Sequence, residues 1–153
     1  RGSGPGSSPD WEMTSGSLFT RSGTGWSGAP DATNPNATSS NGNDSAIFRL
    51  TTRRSNFADV DVSFDLALLG LTQTRATPAV DGDGVHVFLR YQSEESLYYA
   101  SVDRRDGTTA IKKKVPGGPS NGGQYYTLHV GDSSDKNVQR LRARAIYVTG
   151  VTK

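Results

Sequence analysis

The chain has no cysteine, so neither a disulfide framework nor a thiolate metal site or nucleophile is available to it. No apolar run approaches the ~18–20 residues that a membrane-spanning helix needs. Hydrophobic residues make up only 33% of the 153 residues, and methionine and tryptophan are scarce. The charge imbalance is slight, +2 with two histidines counted as neutral, too small to argue for nucleic-acid binding. What the chain has instead is glycine, 18 residues of it, with many serines, threonines and asparagines. That mixture suits short strands joined by frequent turns and disfavours long helices. A chain of this length fits one domain with its own core.

Residues 1–10 are rich in Gly, Ser and Pro and read as a linker or a cloning remnant; residues 11–153 read as the domain. Residues 29–44 hold two prolines and four asparagines with few apolar residues, and are expected to form a long surface loop. Strands are expected at 17–20, 47–51, 58–68, 85–92, 97–105, 108–115, 125–130 and 140–148. The clearest is 58–68, where Val60, Val62, Phe64, Leu66 and Leu68 alternate with Asp59, Asp61, Ser63 and Asp65. A period of two over that length specifies a half-buried strand. In 85–92 the same period puts His86, Phe88, Arg90 and Gln92 on one face. Asp106-Gly107 is a type I′ turn dipeptide, and a two-residue turn there pairs Tyr99 with Lys114 and Ser101 with Lys112. The sum is an all-β chain: an antiparallel two-sheet β-sandwich of jelly-roll type with about eight strands. After the turn signal at Gly150 another strand would fit, so the domain is expected to lack a final strand.

Three stretches carry a family likeness: Phe57-Ala-Asp-Val-Asp-Val-Ser-Phe-Asp65, Asp83-Gly-Val-His-Val-Phe-Leu-Arg-Tyr91, and 97–107 continued by Ile111-Lys-Lys-Lys114. In these the chain resembles the laminin-G-like, concanavalin-like jelly-roll domains of bacterial secreted polysaccharide-active proteins. The resemblance implies an extracellular domain, part of a larger multidomain protein, that contacts a polysaccharide or oligosaccharide. It does not choose between binding and cleavage.

The residues suited to a glycan share one predicted face: His86, Phe88, Arg90, Tyr99, Asp103, Lys112 and Lys114, with Asp59, Asp61 and Asp65 on a neighbouring strand. Sugars stack their C–H faces on rings while their hydroxyls bond charged planar groups. An ordinary solvated sheet face with cross-strand ion pairs is the alternative. Lys113 alternates to the opposite face from Lys112 and Lys114, so the lysine run is not a single three-charge patch, and edge-protecting lysines explain it equally.

Hydrolysis needs two carboxylates flanking the scissile bond. Asp59 and Asp61 are only superficially such a pair, because the glucanase strand pattern they resemble uses glutamates. Elimination by a polysaccharide lyase would use Tyr99 as acid/base, with His86 and Arg90 neutralising a uronate, but the family's sequence motifs for that chemistry are missing. The expectation is therefore a non-catalytic, lectin-like carbohydrate-binding domain without a cofactor. A lyase, a glycoside hydrolase and a protein-binding adhesion module are the alternatives. Asp81 and Asp83 are candidate calcium ligands, as is the Asn41-Gly-Asn43-Asp44 stretch, though both are also ordinary turn sequences. Of the two tryptophans, Trp26 is expected to be the more exposed because it sits in a Gly/Ser segment, though burial at the end of the sandwich is the commoner fate. Asn36-Ala37-Thr38 fits a glycosylation sequon.

Overall fold

The computed structural model describes residues 8–16, 18–30, 47–133 and 139–145. The expected loop at 29–44, with its sequon and its candidate oxygen ligands, and the end of the chain from 146 lie largely or wholly outside the described residues. The described residues are all-β and antiparallel throughout, the architecture of a β-sandwich, with ten strands. No helix among them is long and apolar enough to cross a membrane. By its internal contacts the chain divides into two compact units, one of residues to Asn56 with Thr72–Ala79, the other Phe57–Leu71 with Val80 onward.

The first unit holds four short strands: β1 (Trp11–Gly16), β2 (Phe19–Arg21), β3 (Thr24–Trp26) and β4 (Phe48–Thr52). β1 pairs with β4, and β2 pairs with β3 around Ser22-Gly23, both in the left-handed region that a tight hairpin turn requires. Trp26 is half-buried against Phe19, ring centroids 5.8 Å apart, with the Arg21 guanidinium 5.2 Å from its centroid. Trp11 is the more open, at 47% exposure, which reverses the order expected from the sequence. The local cause is the cross-strand partner: Phe19 sits directly opposite Trp26 and covers it.

The second unit contains β5 (Val60–Leu66), β6 (Val85–Ser93), β7 (Ser96–Val102), β8 (Thr108–Ser120), β9 (Gly123–Asp132) and β10 (Gln139–Ala145). β5 and β10 form a ribbon, and β6-β7-β8-β9 form a four-stranded meander. β5 keeps the alternation of its sequence: Val60, Val62, Phe64 and Leu66 are half-buried and Asp61, Ser63 and Asp65 exposed. Its aspartates are matched by the arginines of β10. Arg140 bonds Asp65 at 2.8 Å, and Arg142 donates to both carboxylate oxygens of Asp61. These pairs hold both carboxyls below their usual pKa, chiefly through the guanidinium hydrogen bonds. Being exposed, they set register more than stability.

The β7–β8 connection differs from the expected two-residue turn. Ser101 pairs with Ala110 and Tyr99 with Lys112, two residues away from the expected register. The turn is instead Arg104–Gly107, closed by the Gly107 N–H donating to the Arg104 carbonyl at 3.0 Å, with Gly107 at φ +74° in its last position. Arg104, 7% exposed, clamps this turn through Asp106 at 2.6 Å and Thr108 at 3.0 Å. A shift of two residues leaves each side chain on its own face, so the expected faces of β7 and β8 survive the error. The next hairpin is tighter. Asn121 (φ +47°) and Gly122 (φ +78°) join Ser120 to Gly123 in a two-residue loop with both residues left-handed, the type I′ pattern.

Candidate functional site

One face of the four-stranded sheet gathers most of the expected glycan-contacting residues. Register places Phe88, Tyr99, Lys112 and Thr127 in one row across β6 to β9, and His86, Ser101, Ala110 and Val130 in the next. Lys114 and Tyr125 face each other in a third.

Tyr99 is the centre. The His86 ring stacks on it with centroids 4.9 Å apart, Phe88 meets it edge-on at 6.2 Å, and Tyr125 meets it edge-on at 5.9 Å from the other side. Tyr91 extends the cluster beyond Phe88 at 6.0 Å. Offset and edge-to-face geometries are those the ring quadrupole favours. Tyr99 itself is buried, at 7% exposure, so it supports the surface from below; His86 and Tyr125 are the exposed rings. Burial pushes the Tyr99 phenol above its ordinary pKa.

The two lysines of this face behave differently. Lys114 is buried, its ammonium donating to the Glu94 carbonyl at 2.7 Å and lying 5.1 Å from the Tyr125 ring centroid. Gly123 makes room for it: a Cβ there would overlap the Lys114 side chain. Lys114 is thus a structural tie between the β6–β7 turn and β9. Lys112 is half-buried and makes no hydrogen bond or ion pair among the described residues. Lys113 points the other way, over Tyr126 at 5.4 Å, as the alternation requires.

Other expected members lie apart from this face. Arg90 has φ +50° and falls in the register break between Leu89 and Ser93, so the strand's alternation stops there. It joins Leu89, Tyr98, Tyr99, Ala100, Ile111 and the β10 residues Arg142–Ala145 around a cleft of about 710 Å³, and approaches Asp59 at 3.8 Å. A local bulge has no signature in a simple period-two reading, which is why the sequence placed Arg90 beside Phe88. Asp103 is 1% exposed with φ +50°, enclosed at the end of β7 and not presented on the surface. Asp61 and Asp65 are committed to the β10 arginines. The signal for that pairing was legible: alternating Asp on 59–65 and alternating Arg on 140–144.

Of the two candidate calcium ligands Asp81 and Asp83, only Asp83 has its carboxylate engaged in hydrogen bonds and an ion pair among the described residues. Asp83 accepts the Val80 N–H at 3.0 Å and pairs with Arg105 at 3.1 Å, while the Asp81 carbonyl accepts the Asp106 N–H. Among the described residues no three His, Cys, Asp or Glu side chains come together as a metal site.

No family model, curated protein or solved structure matches the chain. The site must be read from its own chemistry. The residue that sequence reasoning missed is Tyr125, the exposed ring on β9, because the register that brings it beside Tyr99 depends on the Asn121-Gly122 turn.

His86 is held below its ordinary pKa, first by desolvation against its neighbours and further by the nearby Arg104 and Lys112 charges; the Gly82 carbonyl, 3.1 Å from its Nε2, and Asp83 oppose this. A histidine whose folded pKa is depressed binds its proton more readily when unfolded. Its stabilising contribution is complete above the unfolded value of ~6.5 and falls as pH drops through that value towards the folded pKa. Denaturant melts at stepped pH should show stability declining from pH 7 to 5, before the Asp61, Asp65 and Asp106 carboxylates titrate, and His86→Phe should flatten that decline. An unchanged slope in His86→Phe would remove His86 as its source.

Proposed function

We propose that this chain is a non-catalytic carbohydrate-binding module of an extracellular protein, taking a polysaccharide chain across the sheet face carrying His86, Phe88, Tyr125 and Lys112. The observation that carries the reading is the aromatic cluster around Tyr99. It presents two exposed rings, His86 and Tyr125, on either side of a rigid buried support, with the Lys112 ammonium in the adjoining row. Rings held by other rings lose little freedom when a sugar stacks on them, and a cation beside them adds a partner for hydroxyl or carboxylate oxygens. The slight basic excess favours an acidic glycan, such as a uronate or sulfated polymer. The likeness of 57–65, 83–91 and 97–114 to laminin-G-like jelly-roll domains supports the same reading.

The geometry favours binding over elimination. A lyase would need a reactive Tyr99 phenol beside His86 and Arg90, but that phenol is buried with a raised pKa. A tyrosine base works best with an accessible hydroxyl whose pKa is brought down.

The test is affinity electrophoresis through gels carrying uronate, sulfated and neutral polysaccharides. Wild type should be retarded by at least one acidic polymer. Tyr125→Ala and Lys112→Ala should each weaken that retardation roughly tenfold, equivalent to ~1.4 kcal/mol, with unchanged circular dichroism. No retardation of the wild type by any polymer would contradict the proposal. Ultraviolet absorbance of an unsaturated product, rising with time, would replace it with the lyase.

A further inference from the structure

The four-stranded sheet has a second face, opposite the His86–Tyr125 surface. Val87, Ala100 and Ile111 form one row of it, and Leu89 and Tyr98 stand opposite each other in the next. This face is apolar and incompletely covered: Tyr98 is 44% and Ile111 46% exposed. Large apolar side chains gathered in the open on one face are a sign of an interaction site.

β10, of the same unit, flanks this face, and the cleft of about 710 Å³ lies between the two. Leu89, Ala100 and Ile111 line it from the sheet, Ala143 and Ala145 from β10. Small-molecule sites run to ~300–1,000 Å³ and are lined mainly by apolar groups with a few polar ones. The charged groups here are all of one sign. Arg90, Arg142 and Arg144 line the cleft, and among the described residues no carboxylate does. Arg142 is committed to Asp61, to which it donates from both Nε and Nη2. Arg90 reaches Asp59 only at 3.8 Å, longer than a hydrogen bond. Arg144 makes no hydrogen bond or ion pair among the described residues.

We propose that this cleft binds a long-chain carboxylate, its hydrocarbon tail laid between β10 and the Leu89–Ala100–Ile111 floor and its carboxylate held by Arg144 and Arg90. The two parts of such a ligand answer the two parts of the lining. Leu89, Ala100, Ile111 and Ala143 have hydrocarbon side chains only, so a sugar's hydroxyls would be buried there without partners, at a cost. An alkyl chain has no polar group to lose, and its transfer from water is favourable. At the head, a guanidinium meets a carboxylate as a bidentate partner. A neutral head would leave Arg144 unmatched, and a cationic one would be repelled.

The site is independent of the glycan reading, because different residues report on it. Tyr98, Tyr99 and Ala100 of β7 all border the cleft, but the Tyr99 ring stacks with His86 on the opposite face. Leu89, Ala100, Ile111 and Ala143 are therefore the reporters of the cleft, and His86 and Tyr125 those of the other face.

Dodecanoate, titrated below its micelle concentration into the isotope-labelled full chain, should give saturable amide and methyl shifts centred on Leu89, Ala100, Ile111 and Ala143. His86 and Tyr125 should stay unmoved. Arg144→Gln combined with Arg90→Gln should weaken the binding about tenfold with unchanged circular dichroism. The dodecyltrimethylammonium cation, which has the same tail, should bind the wild type at least about tenfold more weakly than dodecanoate. Butanoate, with the same head and little tail, should not saturate the site. An absence of saturable shifts at the cleft overturns the proposal, and is the result expected if a second copy or further residues of this chain fill it. Equal affinity for the two dodecyl ligands overturns it as well, since the arginines would then select nothing. So do shifts centred on His86 and Tyr125, or binding that the paired arginine substitutions leave unchanged.

Discussion

Tyr99→Ala is expected to lower unfolding free energy by about 3–5 kcal/mol, the range for removing a buried aromatic ring. Among the described residues, Tyr99 shares deep burial with only two other hydrophobic side chains, Leu97 and Ala110. Its ring touches His86, Phe88 and Tyr125, which come from both outer strands of the sheet. Deleting it therefore removes transfer energy, three ring contacts and the support that joins β6 to β9. Urea melts followed by circular dichroism would read the loss as a lower midpoint at nearly constant slope. A change below about 1 kcal/mol, the ordinary effect of a point mutation, would mean that Tyr99 is not the keystone of this face. The size of the effect also makes Tyr99→Ala a poor probe of glycan contact, since a destabilised sheet would lose binding whatever Tyr99 touches. Tyr125 and Lys112 are the cleaner probes.

Gly84→Ala is the second large effect. A Cβ at this position would stand 2.6 Å from the Val102 carbonyl oxygen and 3.1 Å from the Arg104 Cα, all backbone atoms. Side chains can turn aside from such a contact, but backbone cannot, so the start of β6 must move away from the end of β7. Overpacking of this kind costs about 1–3 kcal/mol. The first ladder pair, Val85 with Val102, is the one displaced. Hydrogen exchange should show the amides near Val85 and Val102 losing protection while those of the β8–β9 hairpin keep theirs. Equal loss of protection in both places would contradict a local clash. Gly107→Ala is the useful contrast. Its Cβ meets nothing within 4 Å, so its cost comes only from the left-handed φ of +74°.

The all-β class was legible in the sequence for a definite physical reason. β5 is exposed on one face and half-buried on the other, so its alternation is nearly perfect, and the strand forms where that pattern predicts. The aromatic cluster was legible in part, because His86, Phe88, Tyr99 and Lys112 keep their faces even under a two-residue slip of register. What escaped was whatever depends on a single local irregularity. The bulge at Arg90 turns one side chain out of its expected face, and nothing in a run of alternating residues marks it. The Asp106-Gly107 dipeptide resembles a two-residue turn but occupies the last two positions of a four-residue one, fixed by the Arg104 clamp. Asn121-Gly122 is the stronger hairpin signal, and β8 runs on to it at Ser120, past the expected end at 115. In the first unit the strands expected at 17–20 and 47–51 overlap β2 and β4, whereas β1 and β3, with six residues or fewer each, offer too few periods to be recognised.

Whether the His86–Tyr125 face takes a sugar is tested most directly by amide and side-chain chemical shifts, followed while an acidic oligosaccharide is titrated into the isotope-labelled chain. The proposed function predicts saturable shifts centred on His86, Phe88, Lys112, Tyr125 and Thr127, with the cleft residues Leu89, Ile111 and Ala143 unmoved. Shifts centred on that cleft, or no shifts with any acidic oligosaccharide, would contradict it.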